Sequence, residues 1–491
     1  MTKRRPKSPL VRPIDLFAVL REFNPWWDRK SLPDLPTWRR AAFPSLISWL
    51  ADPPARRAVL LSGARQVGKT TLLLQAATEL LKRGTPAPQI LYATFDHPLL
   101  KLVGLEGVVR AWRELQPAST GPEFLLLDEI QSTSDWETWI KHQTDFQANR
   151  RIAVTGSALP LAEQRRESGV GRWHTIKLPT LSFFEYLQIR GTELPPLPKV
   201  GSLARLFEWT ESQFARAALA ARPLVGDFHE YLLRGGFPQT ARVEHIHTAQ
   251  RLLREDIVDK VLKRDMTALF GVRRILELEK VFVYLSLHDG GILDIAALCS
   301  ALELNKKTVG GFVDLLEASN LVYRLSPFGY GKEVLRGKHK VYLADAAIAG
   351  SVLLRGRGLL EDNERLSAAV ETALFKHVFT NYYLTGATFS YWRGSRDREV
   401  DIVTEVGDQL IPLEVKYKHA EVRSDMLPGL REFCAKPRVR RAYVVTRNLN
   451  DFGPIDLGLA PDSAAQVMRI PAPLACLWLS RLELDRSDAS L

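Results

Sequence analysis

Four runs of the chain are apolar almost without interruption: AVLLSG from Ala58, QILYATF from Gln89, FLLLDE from Phe124 and RIAVTG from Arg151. A strand covered on one face alternates apolar with polar residues, so unbroken runs predict strands buried on both faces of a parallel sheet. The stretches between them carry helical spacing, as in TTLLLQAATELLKR from Thr70. Strand and helix patterns in alternation define a layered α/β core over residues 41–190.

The pattern then changes. GTELPPLPKVG, Gly191 to Gly201, is a Pro-rich break, and the segments after it, such as FHEYLLRGG and HTAQRLLREDIVDKVLKRD, are mostly helical. They form a predicted lid-like region over 191–275. Over 276–354 the stretch ILDIAALCSALELNKKTVGGFVDLLEASNLVYRLSPFG reads as helix, short turn, helix and strand. From 355 to 491 comes a third α/β unit: helix (NERLSAAVETALFKHVFTNYY), three strands (TFSYWRGS, REVDIVTEV, LIPLEVKYK), helix (SDMLPGLREFCAK) and strand (RAYVVTR). Residues 1–40, rich in Pro, Arg and Trp, read as an arm laid on a domain.

Composition narrows the class. With 491 residues, two to four domains are expected. No apolar run approaches the roughly 18 residues that span a bilayer, and the basic start MTKRRPKSPL has no apolar stretch behind it, so it does not read as a secretory signal. The three cysteines, Cys299, Cys434 and Cys476, are far apart and lack CxxC spacing. Neither a disulfide framework nor a zinc site follows from them, and the expected setting is a reducing cytoplasm. A formal charge of +11 favours polyanionic partners.

GARQVGKT, Gly63 to Thr70, matches G-x-x-x-x-G-K-[ST] between a strand and a helix. Gly63 and Gly68 let the backbone curl so that its N–H groups face phosphates at a helix N-terminus. Lys69 is placed to reach the β- and γ-phosphates of ATP, the Thr70 hydroxyl to ligate Mg²⁺, and Thr71 continues the motif. FLLLDEIQ then supplies two carboxylates at a strand end: Asp128 to support Mg²⁺ and Glu129 to polarise an attacking water. RIAVTGS ends at Thr155, Gly156 and Ser157, where a hydroxyl either senses the γ-phosphate or simply closes a turn. Arg172 is either an arginine presented to a neighbouring subunit's nucleotide or a solvated loop residue.

Taken together, GARQVGKTT, LDEIQSTSDWETWIKHQTD, VTGSALPL and GRWHTIKLPTLSFFEYL, with the later YLLRGGFPQTA and KVYLADAAIAG, resemble the AAA-superfamily ATPases of bacteria and archaea that carry a C-terminal nuclease-like domain. The resemblance spans roughly residues 40 to 450. It implies a P-loop AAA-type core with helical lid, a winged-helix domain and an α/β restriction-endonuclease-like domain. It also implies Thr155 as sensor, Arg172 as finger, and a homo-oligomer, with a hexamer among the forms.

IPLEVKYK, Ile411 to Lys418, puts Glu414 and Lys416 on one face of a strand, and Asp401 lies thirteen residues before Glu414 in REVDIVTEV. Alone, these residues make either a surface ion pair or a metal site. The order of elements around them resembles the core of PD-(D/E)XK nucleases, which implies that Asp401 and Glu414 bind Mg²⁺ while Lys416 orients the attacking water, with Glu371 on the preceding helix as a further ligand. Val400 stands where the motif's name has Pro. The reading leans to a competent metal site; the alternative is a nuclease-like module that binds without cutting. Arg393, Arg396 and Arg398 on the adjacent hairpin face either phosphates or solvent. The segment 292–322 resembles a winged helix-turn-helix, with Lys306 and Lys307 at the start of the recognition-helix position and Asp314 and Glu317 opposing readout of a specific sequence.

The function expected is therefore a Mg²⁺-dependent ATPase that remodels or translocates on DNA, whether duplex, single-stranded or branched, with no membrane partner. The competing expectation is an ATP-regulated switch whose nuclease-like part is inert. A P-loop small-molecule kinase is disfavoured by LDEIQ and the long helical region.

Overall fold

The computed structural model describes residues 11–28, 34–117, 120–156, 172–267, 271–329, 334, 337–395, 398–460, 463 and 465–488. The chain forms two compact units, divided after Leu178.

In the first unit the four unbroken apolar runs become β1 (Ala58–Ser62), β2 (Ile90–Thr94), β3 (Glu123–Asp128) and β4 (Arg150–Gly156), and Trp173–Lys177 adds β5. The five strands are parallel in the order β2-β3-β4-β1-β5. β1 is buried at every position, as a strand between two helical layers must be. β5 was not predicted from the sequence, which reads this stretch as a loop. It lies at the sheet edge and is only partly buried, so WHTIK keeps polar residues that hide its strand character.

The opposite edge, β2, is closed by the N-terminal arm. Leu16 and Leu20 of the Pro13–Phe23 helix enter the core beside Leu91, Ala93 and Trp112. The Asn24 side-chain amide then pairs with the Tyr92 backbone, accepting its N–H at 2.7 Å and donating to its carbonyl at 2.8 Å. The Trp26 and Trp27 ring N–H groups donate to the Ile90 carbonyl at 3.2 and 2.9 Å. These side chains satisfy backbone groups that an open sheet edge would leave to solvent.

The second unit is built on an eight-stranded mixed sheet. Its strands are β6 (Val322–Pro327), β7 (Lys340–Leu343), β8 (Thr388–Arg393), β9 (Glu399–Val406), β10 (Gln409–Lys416), β11 (Arg441–Thr446), β12 (Gly453–Pro454) and β13 (Gln466–Pro471). The spatial order is β12-β13-β11-β10-β9-β8-β6-β7. β8, β9 and β10 form an antiparallel meander, and β11 joins β10 in parallel after the Pro428–Cys434 helix. The helix Asn363–Tyr382 precedes them; thirteen of its side chains are buried, and the Asp362 carboxylate caps it by accepting the Arg365 N–H.

Helices Ile295–Leu302 and Lys306–Ala318 are followed by the antiparallel pair β6 and β7, the order of elements in a winged helix. β6 pairs with β7 over its first residues and with β8 through Ser326 and Pro327, so the 276–354 and 355–491 segments share one sheet. Deeper in this unit, Lys376 donates to Asp345 (3.1 Å), Thr180 (2.9 Å) and the Leu181 carbonyl (2.9 Å), and both charged residues are almost fully buried. Among the described residues no helix is long and apolar enough to cross a membrane.

Candidate nucleotide site and carboxylate cluster

β1 ends at Ser62 and the chain turns through Gly63–Gly68 into the helix Lys69–Lys82. Two glycines are required by geometry. A Cβ on Gly63 would lie 2.1 Å from the Leu178 carbonyl oxygen, and Gly68 caps the helix with a left-handed φ of 96°. Lys69 is buried and folds back on the loop, donating to the carbonyls of Gly63 (2.9 Å) and Ala64 (2.8 Å). Its ammonium is thus held on the carbonyls of the loop itself. Thr71, next in the helix, is half-buried.

Asp128 ends β3 and is 2% exposed. Its carboxylate accepts the Thr70 hydroxyl (2.7 Å) and the Tyr92 hydroxyl (3.1 Å) on one oxygen and the Thr155 hydroxyl on the other. Burial drives the Asp128 carboxyl up from its ordinary range, and the adjacent Glu129 adds to this, while the Thr155 and Thr70 hydrogen bonds and Lys69 oppose it. Burial and Asp128 together keep the Tyr92 phenol protonated, hence a donor. Thr155 pairs with Leu61 across β1–β4, so the inserted strand places its hydroxyl between the loop strand and the carboxylate strand. Glu129 takes a left-handed φ of 50°, donates its N–H to Thr155 (3.0 Å) and receives the Gln131 amide on its carboxylate. That backbone turn sends Glu129 away from the course of Asp128. Hard oxygens from Thr70 and Asp128 beside a phosphate-type loop suit Mg²⁺ with ATP.

Arg172 lies at the other end of the strands. Its carbonyl accepts the Ala58 N–H at 3.0 Å, and β1 must run from there to Ser62 before the loop begins. At roughly 3.3 Å per residue that is about 16 Å. Its guanidinium pairs with Asp145 at 2.9 and 3.2 Å. The structure therefore does not bring Arg172 to its own loop. Ser157 and Arg396 lie outside the described residues. The sequence reading missed Tyr92 on Asp128 and buried Arg40, which donates to the Val67 carbonyl of the loop at 2.6 Å.

In the second unit Asp401 (β9), Glu414 and Lys416 (β10) and Glu371 (Asn363–Tyr382 helix) come together. One oxygen of Asp401 accepts the Val415 N–H at 2.8 Å, and Lys416 bonds Glu414. Lys340, which opens KVYLADAAIAG but was given no role in the sequence reading, occupies the middle. Lys340 of β7, 2% exposed, places its ammonium 2.8 Å from Glu371, 2.7 Å from Glu399 and 3.0 Å from Asp401. The Tyr342 hydroxyl donates to Glu371 at 2.6 Å. Burial pulls Lys340 down, but Asp401, Glu371, Tyr342 and Glu399 outweigh it and hold the ammonium charged well above its ordinary range. Burial and Asp401 raise Glu414, burial and Asp401 raise Glu371, and Lys340 and Lys416 overcome burial to lower Asp401. Among the described residues no group of three or more His, Cys, Asp or Glu side chains is arranged to hold a metal ion. The Lys340 ammonium lies on two of the residues expected to bind Mg²⁺, Glu371 and Asp401.

Lys306 and Lys307 are exposed at the start of their helix. Asp314 and Glu317 are both paired with Arg324 of β6, Asp314 at 2.8 Å, so their charge is partly neutralised. Arg398 pairs with Glu432 at 2.6 Å, while Arg393 is exposed at the end of β8.

The sheet, loop and carboxylates define a P-loop ATPase domain of the AAA type, and residues 55–187 match the family described as "AAA domain". Residues 225–358 and 366–459 match two families described as domains of unknown function, DUF8612 and DUF4143. An uncharacterized protein of Haemophilus influenzae is 23% identical over 371 residues, covering 74% of this chain and 83% of its own. An uncharacterized protein of Mycobacterium tuberculosis is 26% identical over 377 residues, covering 73% and 70%. Among solved structures, the Thermotoga maritima RuvB Holliday junction branch migration motor aligns with 62% of this chain and 92% of its own, at 18% identity and a TM-score of 0.28.

Proposed function

We propose that the protein is a Mg²⁺-dependent ATPase that works on DNA as a homo-oligomer, with the second unit as the part that engages DNA. One observation carries the hydrolytic half: Asp128 holds Thr70 and Thr155 while Glu129 turns aside at the end of the same strand. In this reading the loop N–H groups and Lys69 bind the phosphates, and Thr70 and Asp128 hold the metal, which neutralises charge on the phosphate oxygens when bound. Glu129 takes a proton from water, Thr155 positions Glu129 and Asp128, and Arg172 reaches a neighbouring subunit's nucleotide. The DNA half is supported by the +11 charge and the exposed Lys306 and Lys307.

ATP hydrolysis measured with and without single-stranded, duplex and branched DNA, with Lys69→Ala and Glu129→Gln as blanks, tests both halves. Stimulation by one DNA shape is the expected result; turnover indifferent to every DNA defeats the DNA half. A second reading, an ATP-regulated switch with an inert second unit, is favoured by Lys340 among the carboxylates.

A further inference from the structure

We propose that Lys340 is a resident cation: its ammonium lies against Glu371 and Asp401, two of the three carboxylates expected to bind a divalent ion, and against Glu399, so the second unit is a metal-free module and not a metal-dependent nuclease. The inference stands apart from the DNA reading, since it concerns only what fills the carboxylate cluster.

Three observations converge on it. Lys340 lies within 3.0 Å of three carboxylates contributed by β9 and the Asn363–Tyr382 helix, so an ion placed among the same oxygens would meet the ammonium. Mg²⁺ asks for near-octahedral oxygens at roughly 2.0–2.1 Å and keeps several waters, which a site filled by a lysine side chain does not leave room for. Several of the carboxylate oxygens are also already engaged. Asp401 accepts Lys340 on one oxygen and the Val415 N–H on the other, Glu371 accepts Lys340 and Tyr342 on the same oxygen, and Glu414 accepts Lys416. Finally, two ammonium groups already stand inside the cluster. Lys340 and Lys416 stand against Glu371, Glu399, Asp401 and Glu414, and a dication brought beside a fixed ammonium in a buried site is repelled by it.

The placement of Lys340 comes through β6, whose first residues pair with β7 and whose last pair with β8. That geometry carries the start of β7 to the meander, although Lys340 and Asp401 are 61 residues apart. The neighbouring Tyr342 reaches into the same cluster, its hydroxyl 3.3 Å from the Asp401 carbonyl. β7 therefore presents two side chains to the carboxylates from one face, as residues two apart on a strand do.

The test is a Mn²⁺ titration of the full chain, without nucleotide or DNA, read by the electron paramagnetic resonance of free Mn²⁺. Wild type, Asp401→Asn, Lys340→Ala, Lys340→Gln and Lys340→Ala with Asp401→Asn are compared. Wild type and Asp401→Asn are expected to bind alike, meaning that no ion depends on Asp401. A folded Lys340 variant is expected to gain one Mn²⁺, bound roughly a hundredfold tighter than in wild type by loss of the nearby positive charge, and to lose it again with Asp401→Asn. A wild-type Mn²⁺ that disappears in Asp401→Asn overturns the proposal. So do two Lys340 variants that fold and gain no ion. If neither folds, wild type against Asp401→Asn decides. Because no DNA or ATP is present, a failure of DNA stimulation leaves this result untouched.

Discussion

The hydroxyl of Thr155 is hydrogen-bonded to the buried carboxylate of Asp128, although the two residues lie 27 positions apart on neighbouring strands. The same hydroxyl oxygen accepts the Glu129 N–H, so one side chain fixes both the metal-side carboxylate and the backbone of the water-side carboxylate. Thr155→Val removes the hydroxyl and leaves a buried carboxylate oxygen and an N–H without this partner, a loss of about 1–3 kcal/mol. Turnover should fall by roughly 10- to 100-fold at unchanged nucleotide affinity. Glu129→Gln should cost more, roughly 10² to 10⁴, because it removes the base itself. Steady-state hydrolysis beside equilibrium nucleotide binding separates the two; wild-type turnover in Glu129→Gln would remove Glu129 from the mechanism.

Arg172 sits at the far end of β1 from the loop and is paired with Asp145. If it serves a neighbour's nucleotide, Arg172→Ala and Glu129→Gln each abolish turnover alone, yet mixed subunits recover part of it. Recovery arises where an intact site of one subunit meets an intact arginine of the next. Activity of the mixture that stays at the sum of the two inactive proteins rules this role out.

What was legible in the chain follows from the range of each signal. β1 to β4 lie in unbroken apolar runs because double burial demands apolar residues at every position. The loop from Gly63 to Thr70 was legible because its chemistry is contiguous. The meander β8 to β10 was legible from the alternation of apolar and charged residues, although the centres of β9 and β10 are buried at consecutive positions, Ile402–Thr404 and Pro412–Val415. β5 was not legible, because an edge strand needs few apolar residues. Lys340 was not legible either. A lysine in KHKVYL has the look of a solvated residue, and only a contact across 61 positions turns it into the centre of a charge cluster. Tyr92 and Arg40 escaped for the same reason: each is identified by its partner, not by its neighbours in the chain.

The buried pair Asp345 and Lys376 makes a stability prediction. Asp345 also accepts the Gly236 N–H at 3.0 Å, the Ala347 N–H at 3.1 Å and the Thr180 hydroxyl at 2.5 Å. Burial lowers the Lys376 ammonium from its ordinary range against the pull of Asp345. Lys376→Met leaves a buried carboxylate without its counter-charge and should destabilise the second unit by about 3–5 kcal/mol. Adding Asp345→Asn removes the orphaned charge, so the double variant should cost less than the sum of the two singles. Urea unfolding of all four proteins gives the coupling; strict additivity would show that the pair acts as two independent residues.

Two buried groups of the second unit give opposite pH dependences. His377 accepts the Phe183 N–H on Nε2 at 2.8 Å and donates from Nδ1 to the Ala373 carbonyl at 2.6 Å, an arrangement that requires the neutral ring. Burial, and then the positive charge of Lys376, hold it down at about 3. The unfolded chain binds a proton here near 6.5 and the folded chain does not, so stability from His377 is complete above that pH. It is lost on acidification at up to about 1.4 kcal/mol per pH unit. Asp289 accepts the Leu343 N–H (2.9 Å) and the Thr372 hydroxyl (2.8 Å), yet burial pushes it up to about 7. Between roughly 4 and that value the folded state holds the extra proton, so stability from Asp289 rises on acidification by a similar slope. From pH 6.5 to 5 the two contributions oppose each other in the wild type. His377→Gln, whose side-chain oxygen can still accept the Phe183 N–H, should therefore make the protein relatively more stable toward acid, and Asp289→Asn relatively less. Urea unfolding of the three proteins at pH 5, 6 and 7.5 reads this as two difference curves of opposite sign. A His377→Gln curve parallel to wild type would mean that the ring is protonated in the folded state and that the Phe183 contact is not the one described.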